Sequence, residues 1–477
     1  MIKRAEVITV DIEDLAFGGK GIARLHDENG SFVVFVQNTF PGQKVEARVA
    51  KKRKRHAECK LLKVIERSPL EQESEFQEIS GAPYIHVPPA IQEEKKKEVT
   101  LEVYKRLADL QNIDVLFDEF IPSPEHYFYR NKMEYSFSSI EHDIEADQEI
   151  DDAFALGFKH RGTWWKVESL NKASGLFDEE WENFLKEFRI HLESSGLPAW
   201  HPPQKKGFFR HIVVRKSFDQ DKLLINLVTS SQGIKKFDLE ATGKFLQEHM
   251  GNRIAGFQHT VNDNVADRAK IENGNCTLVF GDDHVIEDLH GLKFEISMES
   301  FFQTNPASAE RLYNKALDYV FEGNRDFSDK AVMDLFCGTG TIGQLLSQRT
   351  KEASIIGVDI VEEAIEDAKR NAKRNGIKNI SFYAADVGKF LREYPEYINK
   401  IDTIVLDPPR AGIAPKTLLK VIALNANRIV YISCNPSTQA RDIKTLEEHG
   451  YKTKKISLVD QFPHTSHIEA IGLFEKI

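Results

Sequence analysis

Cysteine is scarce in this chain: four stand in 477 residues, at positions 59, 276, 337 and 434, with no close pair among them. That spacing excludes a disulfide framework and a conventional Cys-based zinc site, and it points to a reducing compartment. Long apolar runs are missing too. No stretch approaches the roughly 18 apolar residues of a membrane span, and Met1-Ile2-Lys3-Arg4 leads into charge-interrupted sequence rather than a signal-peptide core. We therefore expect a cytoplasmic protein with no membrane partner. There is no internal repeat and no low-complexity tract. Nor is there net positive charge: 64 Lys and Arg face 74 Asp and Glu, a balance of −10, so the whole chain has no general attraction for nucleic acid or anionic membrane. Residues 1–68 are the exception, with 14 Lys and Arg against 9 Asp and Glu, which leaves the other 409 residues at −15.

What is present begins with size. A chain this long exceeds the roughly 250 to 300 residues that one core supports, so two or three domains are expected. Residues 1–68 carry four strand-like runs, Val7–Val10, Phe32–Val36, Lys44–Val49 and Cys59–Ile65, separated by the glycine turns Gly18-Gly19-Lys20-Gly21 and Pro41-Gly42. This predicts a small all-β barrel of OB-like size. The run Lys51-Lys52-Arg53-Lys54-Arg55-His56 lies between the last two strands, where it either tracks a phosphate backbone or forms a solvated hairpin tip. Through Gly19-Lys20-Gly21-Ile22-Ala23-Arg24, Phe35-Val36 and Pro41-Gly42-Gln43-Lys44-Val45 the stretch resembles a TRAM domain, an RNA-binding barrel, and the resemblance implies an RNA partner.

Residues 69–296 read as a linker and a central α+β domain. Ser68-Pro69 and the acidic run Glu71–Glu78 mark the linker. Residues 93–112 predict an amphipathic helix with Val99, Val103, Leu107 and Leu110 on its apolar side and Lys95-Lys96-Lys97 as a solvated face. Strands at Ile212–Arg215 and Leu223–Val228 and helices near 180–194 and 238–250 follow. Loops carrying Tyr129–Lys132, Lys159–Lys166 and Phe208–His211 interleave aromatics with cations, a pattern that suits single-stranded RNA and also suits plain core packing.

Residues 297–477 change grammar. The buried-strand run Ala331–Cys337 is followed by Gly338-Thr339-Gly340-Thr341-Ile342-Gly343 opening a helix, then by the strand Ile355–Asp359. This is the first βαβ unit of a doubly wound, Rossmann-like α/β sheet, with Gly338 and Gly340 permitting close backbone approach and Asp359 placed for a ribose hydroxyl pair. Dinucleotides and S-adenosylmethionine both use such a unit. Asp334, able to face a cationic methionine group, and the turn Asp407-Pro408-Pro409 favour the methyl donor. The next residue, Arg410, departs from the aromatic that suits attack by an exocyclic amine, and the cysteine of some cytosine chemistry is absent there. Cys434 ends the strand Arg428–Ser433, at the strand terminus where open α/β sheets place ligands, and Asn435-Pro436 stops that strand abruptly. We read Cys434 as a nucleophile and Cys337 as a small buried thiol. Glu469 stands in an otherwise apolar strand, where a carboxylate needs a partner or a purpose. His464 and His467 have no third metal ligand, and no metal is expected.

A thiolate that adds to carbon 6 of uracil makes carbon 5 electron-rich enough to take a methyl group, and a base must then remove the carbon 5 hydrogen. Cys434 and Glu469 fit those two roles. Ser433-Cys434-Asn435-Pro436, Asp407-Pro408-Pro409-Arg410, Phe301-Phe302-Gln303-Thr304-Asn305, Asp334–Gly340 and Pro463–Glu469 together resemble the motif set of the RNA uracil-5-methyltransferases, from the barrel to the C-terminus. The resemblance implies a class I methyltransferase domain that forms 5-methyluridine in ribosomal or transfer RNA, with large-subunit ribosomal RNA favoured. It implies Cys434 as nucleophile, Glu469 as base, and Gln303, Phe336, Asp359 and Asp407 around S-adenosylmethionine. Many ribosomal RNA members carry an iron–sulfur cluster on cysteines after the barrel. The matching stretch here, Ile79–His86, has none, and Cys59 and Cys276 are too few to replace them, so no iron–sulfur cluster is expected. The target base must leave its stack to reach the thiol. A monomer is expected. Two other readings remain open: a cytosine or adenine RNA methyltransferase, and a non-catalytic RNA chaperone or assembly factor.

Overall fold

The computed structural model describes residues 2–27, 30–264, 275–323, 325–327 and 329–477. In the N-terminal region, Val- and Ile-rich runs broken by glycine turns form β1 (Val7–Asp11), β2 (Asp14–Ala16), β3 (Lys20–Asp27), β4 (Gly30–Gln37), β5 (Lys44–Lys52) and β6 (His56–Glu66). They pair in the order β1-β5-β6-β4-β3-β2. Alternate residues point inward, so Val34, Val36, Val45, Ala47, Cys59 and Leu61 fill one core. Gly18 and Gly19 turn the chain between β2 and β3 with φ of +81° and +72°, conformations that glycine adopts without strain. The basic run falls at the hairpin tip between β5 and β6.

The segment expected to be a linker is packed. Ser68 Oγ donates to Pro41 O at 2.6 Å, Gln43 bonds Glu71, and Ile79, Ala82 and Ile85 enter the core of the central region. α1 (Pro89–Leu107) and α2 (Ile113–Leu116) then lead into β7 (Phe117–Ile121). The buried face of α1 is not the expected stripe: it consists of Gln92, Lys96, Thr100, Leu101 and Tyr104, and Leu107 is exposed. Polar groups are tolerated there because each has a partner. Lys96 Nζ pairs with Asp460 Oδ1 at 2.8 Å and donates to Phe462 O at 3.0 Å, so this lysine belongs to the interior rather than to a solvated face.

The central sheet contains β8 (Lys132–Asp143), β9 (Gln148–Lys159), β10 (Val167–Ser169), β11 (Phe209–Ser217), β12 (Lys222–Thr229), β13 (Ile254–Val261) and β14 (Cys276–Gly281). Its order is β10-β9-β8-β11-β12-β13-β14, with α3 (Glu179–Glu193) and α4 (Leu239–Met250) packed on it. Asp178 and Asp238 cap the two helices by accepting from Trp181 N and Ala241 N. Two of the three aromatic and cationic segments are core rather than RNA-facing loops. Tyr129, Phe208, Phe209 and Arg210 are buried; the Arg210 guanidinium lies 4.2 Å from the Trp200 ring centre and donates to Asn262 O and Asn264 O. The third stays outside. His160 is tied to Glu168 at 2.5 Å and Ser80 Oγ holds Lys159 O at 2.8 Å, which presents Trp164 with 59% of its surface exposed.

After a hairpin of β15 (His284–Leu289) and β16 (Leu292–Ser297) comes α5 (Pro306–Phe321) and then the alternation of a doubly wound sheet. Its elements are β17 (Ala331–Leu335), α6 (Thr341–Arg349), β18 (Ser354–Asp359), α7 (Glu362–Arg374), β19 (Ile380–Ala384), α8 (Val387–Glu393), β20 (Ile401–Leu406), α9 (Pro415–Ala423), β21 (Arg428–Ser433), α10 (Pro436–Glu448), β22 (Tyr451–Val459) and β23 (Glu469–Lys476). The order β19-β18-β17-β20-β21-β23-β22-β7 is parallel through β21, and β23 runs antiparallel to both its neighbours. Strand succession reverses between β17 and β20, which opens the ligand crevice at their C-terminal ends. β7 pairs with β22, and Leu101, Tyr104 and Ile113 pack in the same core, so residues 89–121 belong to this body and not to the central domain assigned to 69–296.

Candidate active site

Three strand ends supply the crevice. β17 delivers Asp334, fully buried, whose Oδ2 accepts from Gly343 N at 2.8 Å while Oδ1 is buried without a partner. Beyond β17 the chain makes a sharp turn. Phe336 takes a left-handed φ of +63°, Gly338 one of +51° and Gly340 one of +75°. A Cβ on Gly340 would lie 2.6 Å from the Phe382 ring, so only glycine fits there, whereas a Cβ on Gly338 would project into open space. β18 ends in Asp359, whose Oδ2 accepts from Gly338 N at 2.9 Å and whose Oδ1 accepts from Val361 N at 2.9 Å. From β20 follows Asp407.

The other wall comes from β21 and β23. Their antiparallel register pairs Ser433 with Ala470 at the strand ends, and just beyond that pair the Glu469 carboxyl acts on the Cys434 thiol. Cys434 is half-buried, and Asn435 caps α10 with its side chain accepting from Ser437 N and donating to Arg410 O at 3.1 Å. Glu469 is only 3% exposed. Gln303 sits just before α5, whose cap Asn305 accepts from Ser308 N and donates to Gln461 O and Ser123 Oγ.

The electrostatics follow from desolvation. Burial, reinforced by Asp407, pushes the Glu469 carboxyl well above its ordinary range, with the Arg410 guanidinium opposing. Burial and then the Asp407 and Asp359 carboxylates do the same to Asp334, and burial pushes Asp407 up to about 7. The Cys434 thiol is pushed up to about 11 by burial and by Glu469 and Asp407, again with Arg410 opposing. Three desolvated acids, an orphaned carboxylate oxygen and an open glycine turn fit a ligand that brings positive charge, as the sulfonium and ammonium groups of S-adenosylmethionine do. Asp334, Asp359 and Asp407 stand at or just beyond the ends of β17, β18 and β20, with the Phe336–Gly340 turn after β17 and Gln303 just before α5.

The raised carboxyl of Asp407 has a measurable cost. Its folded value of about 7 exceeds the unfolded 3.8, so the folded chain binds the extra proton and loses stability as pH rises between those limits. The loss is at most about 4 kcal/mol. Asp407→Asn is expected to stabilise the cofactor-free protein at pH 8, to leave it unchanged near pH 3, and to weaken S-adenosylmethionine binding. Chemical denaturation at the two pH values checks this.

Sequence reading found the two walls and missed what braces them. Tyr313, on α5, is buried, bonds the Gln303 side chain, and has its phenol held far above 10 by burial and by Asp407, Glu469 and Asp334. A tyrosine at helical spacing looks like core, and its only signal is its distance of ten residues from Gln303. His464 Nδ1 lies 3.0 Å from Gln92 Nε2, and the His467 ring meets Phe462 edge-on. Cys337, expected as a buried thiol, is half-buried in the glycine turn, its sulfur 3.9 Å from Gly338 O.

Comparison with known proteins agrees with this geometry. The family described as tRNA (Uracil-5-)-methyltransferase matches residues 258–477, and the TRAM domain family matches residues 3–62. A protein named as an uncharacterized RNA methyltransferase from Caldanaerobacter subterraneus subsp. tengcongensis is 37% identical over 477 residues, 99% of each chain. Another so named, from Clostridium tetani, is 36% identical over 481 residues, 100% of this chain and 99% of its own. The tRNA (uracil-54, C5)-methyltransferase of Pyrococcus abyssi, solved with S-adenosyl-L-homocysteine, shares the fold with a TM-score of 0.69 at 24% identity, covering 98% of this chain and 100% of that one. The chain therefore belongs to the RNA (uracil-5-)-methyltransferase family, as an S-adenosylmethionine-dependent RNA methyltransferase with an N-terminal TRAM domain.

Proposed function

We propose that the protein methylates carbon 5 of a uridine in RNA through a covalent bond between Cys434 and carbon 6. The observation that supports this reading is that the desolvated Glu469 carboxyl acts on the Cys434 thiol where β21 ends and β23 begins, just beyond the Ser433–Ala470 pair. Cys434, as thiolate, adds to carbon 6 and pushes electrons to carbon 5. S-adenosylmethionine, when bound, supplies an electrophilic methyl group at carbon 5. Glu469 takes the carbon 5 hydrogen as a proton, the double bond re-forms, and Cys434 leaves as thiolate. Arg410, exposed beside both groups, favours their charged forms. Arg410 in place of an aromatic after Asp407-Pro408-Pro409 disfavours attack by the exocyclic amine of adenine, and a thiol at the end of β21 rather than within that turn favours uracil over cytosine.

The RNA side of the reading rests on the basic barrel and its neighbour. A cleft of about 340 Å³ between them is lined by Gln37, Asn38, Lys60, Ser80 and Arg161, and Trp164 stands near it in sequence and exposed. Cations beside an exposed ring suit an RNA strand flanking the flipped base. For the RNA class the proposal takes large-subunit ribosomal RNA, on the resemblance of the whole motif set, although the matching family and the Pyrococcus protein both carry transfer RNA in their names. Nucleoside mass spectrometry of separated RNA pools, with and without the gene, tests both halves. Loss of 5-methyluridine from large-subunit RNA is the expected result. Loss from transfer RNA instead keeps the chemistry and overturns the substrate, and failure of the purified protein to methylate either RNA sinks the reading.

A further inference from the structure

The turn from Asp460 to His467 runs directly into β23, and three distant parts of the chain grip it. α1 supplies the amide of Gln92: Oε1 accepts from His464 N at 2.7 Å, and Nε2 lies 3.0 Å from His464 Nδ1 and donates to Tyr84 O at 3.1 Å and Val87 O at 2.6 Å. One helical turn later Lys96 pairs with Asp460 and donates to Phe462 O, with side chains only 4% and 2% exposed. The central region adds the Tyr129 hydroxyl, donating to Pro463 O at 2.9 Å, and the Tyr127 ring, stacked on His464 at 4.7 Å. The barrel adds Gly19, which backs onto Ser466 so closely that a Cβ there would lie 2.7 Å from the serine side chain.

This grip holds a conformation that does not hold itself. His464 has φ of +62°, a left-handed backbone that a non-glycine residue keeps only when its surroundings over-determine it. Burial keeps its imidazole neutral. An amide is the one side chain at position 92 that both accepts from a peptide N–H and donates to two carbonyls. Lys96 cannot be there for solvent or for a helix-end charge, because it is interior.

We propose that Gln92 and Lys96 are positioning residues for Glu469: by fixing the 460–467 turn they aim the carboxyl that opens β23 at the proton it removes. The proposal rests on the reading of Glu469 as the base. A base displaced by about 1 Å loses roughly 100-fold in rate while earlier steps proceed, so the mark of lost positioning is a trapped intermediate and not a general decline.

The test uses the full chain, S-adenosylmethionine and the RNA pool identified by mass spectrometry, and follows turnover, the covalent RNA adduct on denaturing gels, and S-adenosylhomocysteine affinity. Gln92→Met keeps side-chain length and removes the bonds. The paired Lys96→Met with Asp460→Leu removes both charges at once, which keeps the interior neutral should Gln92→Met not fold. Both are expected to lower turnover by about 100-fold, to raise the adduct fraction at least fivefold, and to leave cofactor affinity within twofold; Lys96→Arg is expected to restore turnover. Folded variants with normal turnover, or with adduct and turnover falling together, overturn the proposal. Glu469→Gln is the control: if it traps no adduct, the base reading itself falls, and the positioning role with it.

Discussion

Cys434→Ala is expected to lose methyl transfer by on the order of 10⁴-fold or more while binding S-adenosylmethionine normally. Without the thiolate, carbon 5 of uracil remains too weak a nucleophile for the sulfonium, and the other described thiols stand elsewhere: Cys337 in the glycine turn after β17, Cys59 in the barrel core and Cys276 on the central sheet. Serine at position 434 is expected to be no better, because an alkoxide is far less accessible than a thiolate. The pH dependence carries the sign. With the thiol at about 11, roughly one molecule in 10⁴ is ionised at pH 7, so adduct formation by the wild type is expected to rise about tenfold per pH unit from 7 to 9. Single-turnover labelling across that range, with isothermal titration for the cofactor, checks both claims. Normal methylation by Cys434→Ala would end the covalent reading.

Glu469→Gln is expected to have the second-largest effect and the opposite signature. Turnover falls by about 10³-fold, and the RNA stays on the protein. After methyl transfer, carbon 5 holds both its hydrogen and the new methyl, and only loss of the hydrogen lets Cys434 leave. Glutamine preserves the shape of the side chain in a site 3% exposed, and it cannot take that proton. It also removes a charge that holds the thiol up, so formation of the adduct is expected to quicken as its breakdown stalls. A denaturation-resistant band containing labelled methyl is the readout. Slow turnover with no such band would take the base role away from Glu469.

Much of this was legible in the residues, for a physical reason. β-branched runs such as Ala331–Leu335, Ile401–Leu406 and Arg428–Ser433 are buried on both faces of a parallel sheet, so burial and strand propensity agree there. Cys434 and Glu469 stood out because each contradicts its local pattern, a thiol at a strand's abrupt end and an acid inside an apolar strand. α1 misled because its buried face is polar. Gln92 and Lys96 have partners in His464, Asp460 and Phe462, more than 360 residues away, and no local periodicity encodes a partner at that distance. The Phe208–His211 segment suits both an RNA-facing loop and core packing in sequence, and it is Trp200 and two backbone carbonyls, which enclose Arg210, that decide for the core.

β7 pairs with β22 at Phe117–Ile456, so the catalytic sheet is closed by a strand made long before it. At translation rates of 5 to 20 residues per second, roughly 20 to 70 s separate the two partners, and the central domain is synthesised whole in the interval. The methyltransferase body thus straddles an insertion and cannot begin to assemble its last edge until β22 has been synthesised. A fragment started at residue 297 would keep Cys434 and Glu469 yet leave β22 with an open edge, an invitation to strand pairing between molecules. Gene truncations meant to isolate the chemistry should therefore retain residues 89–121.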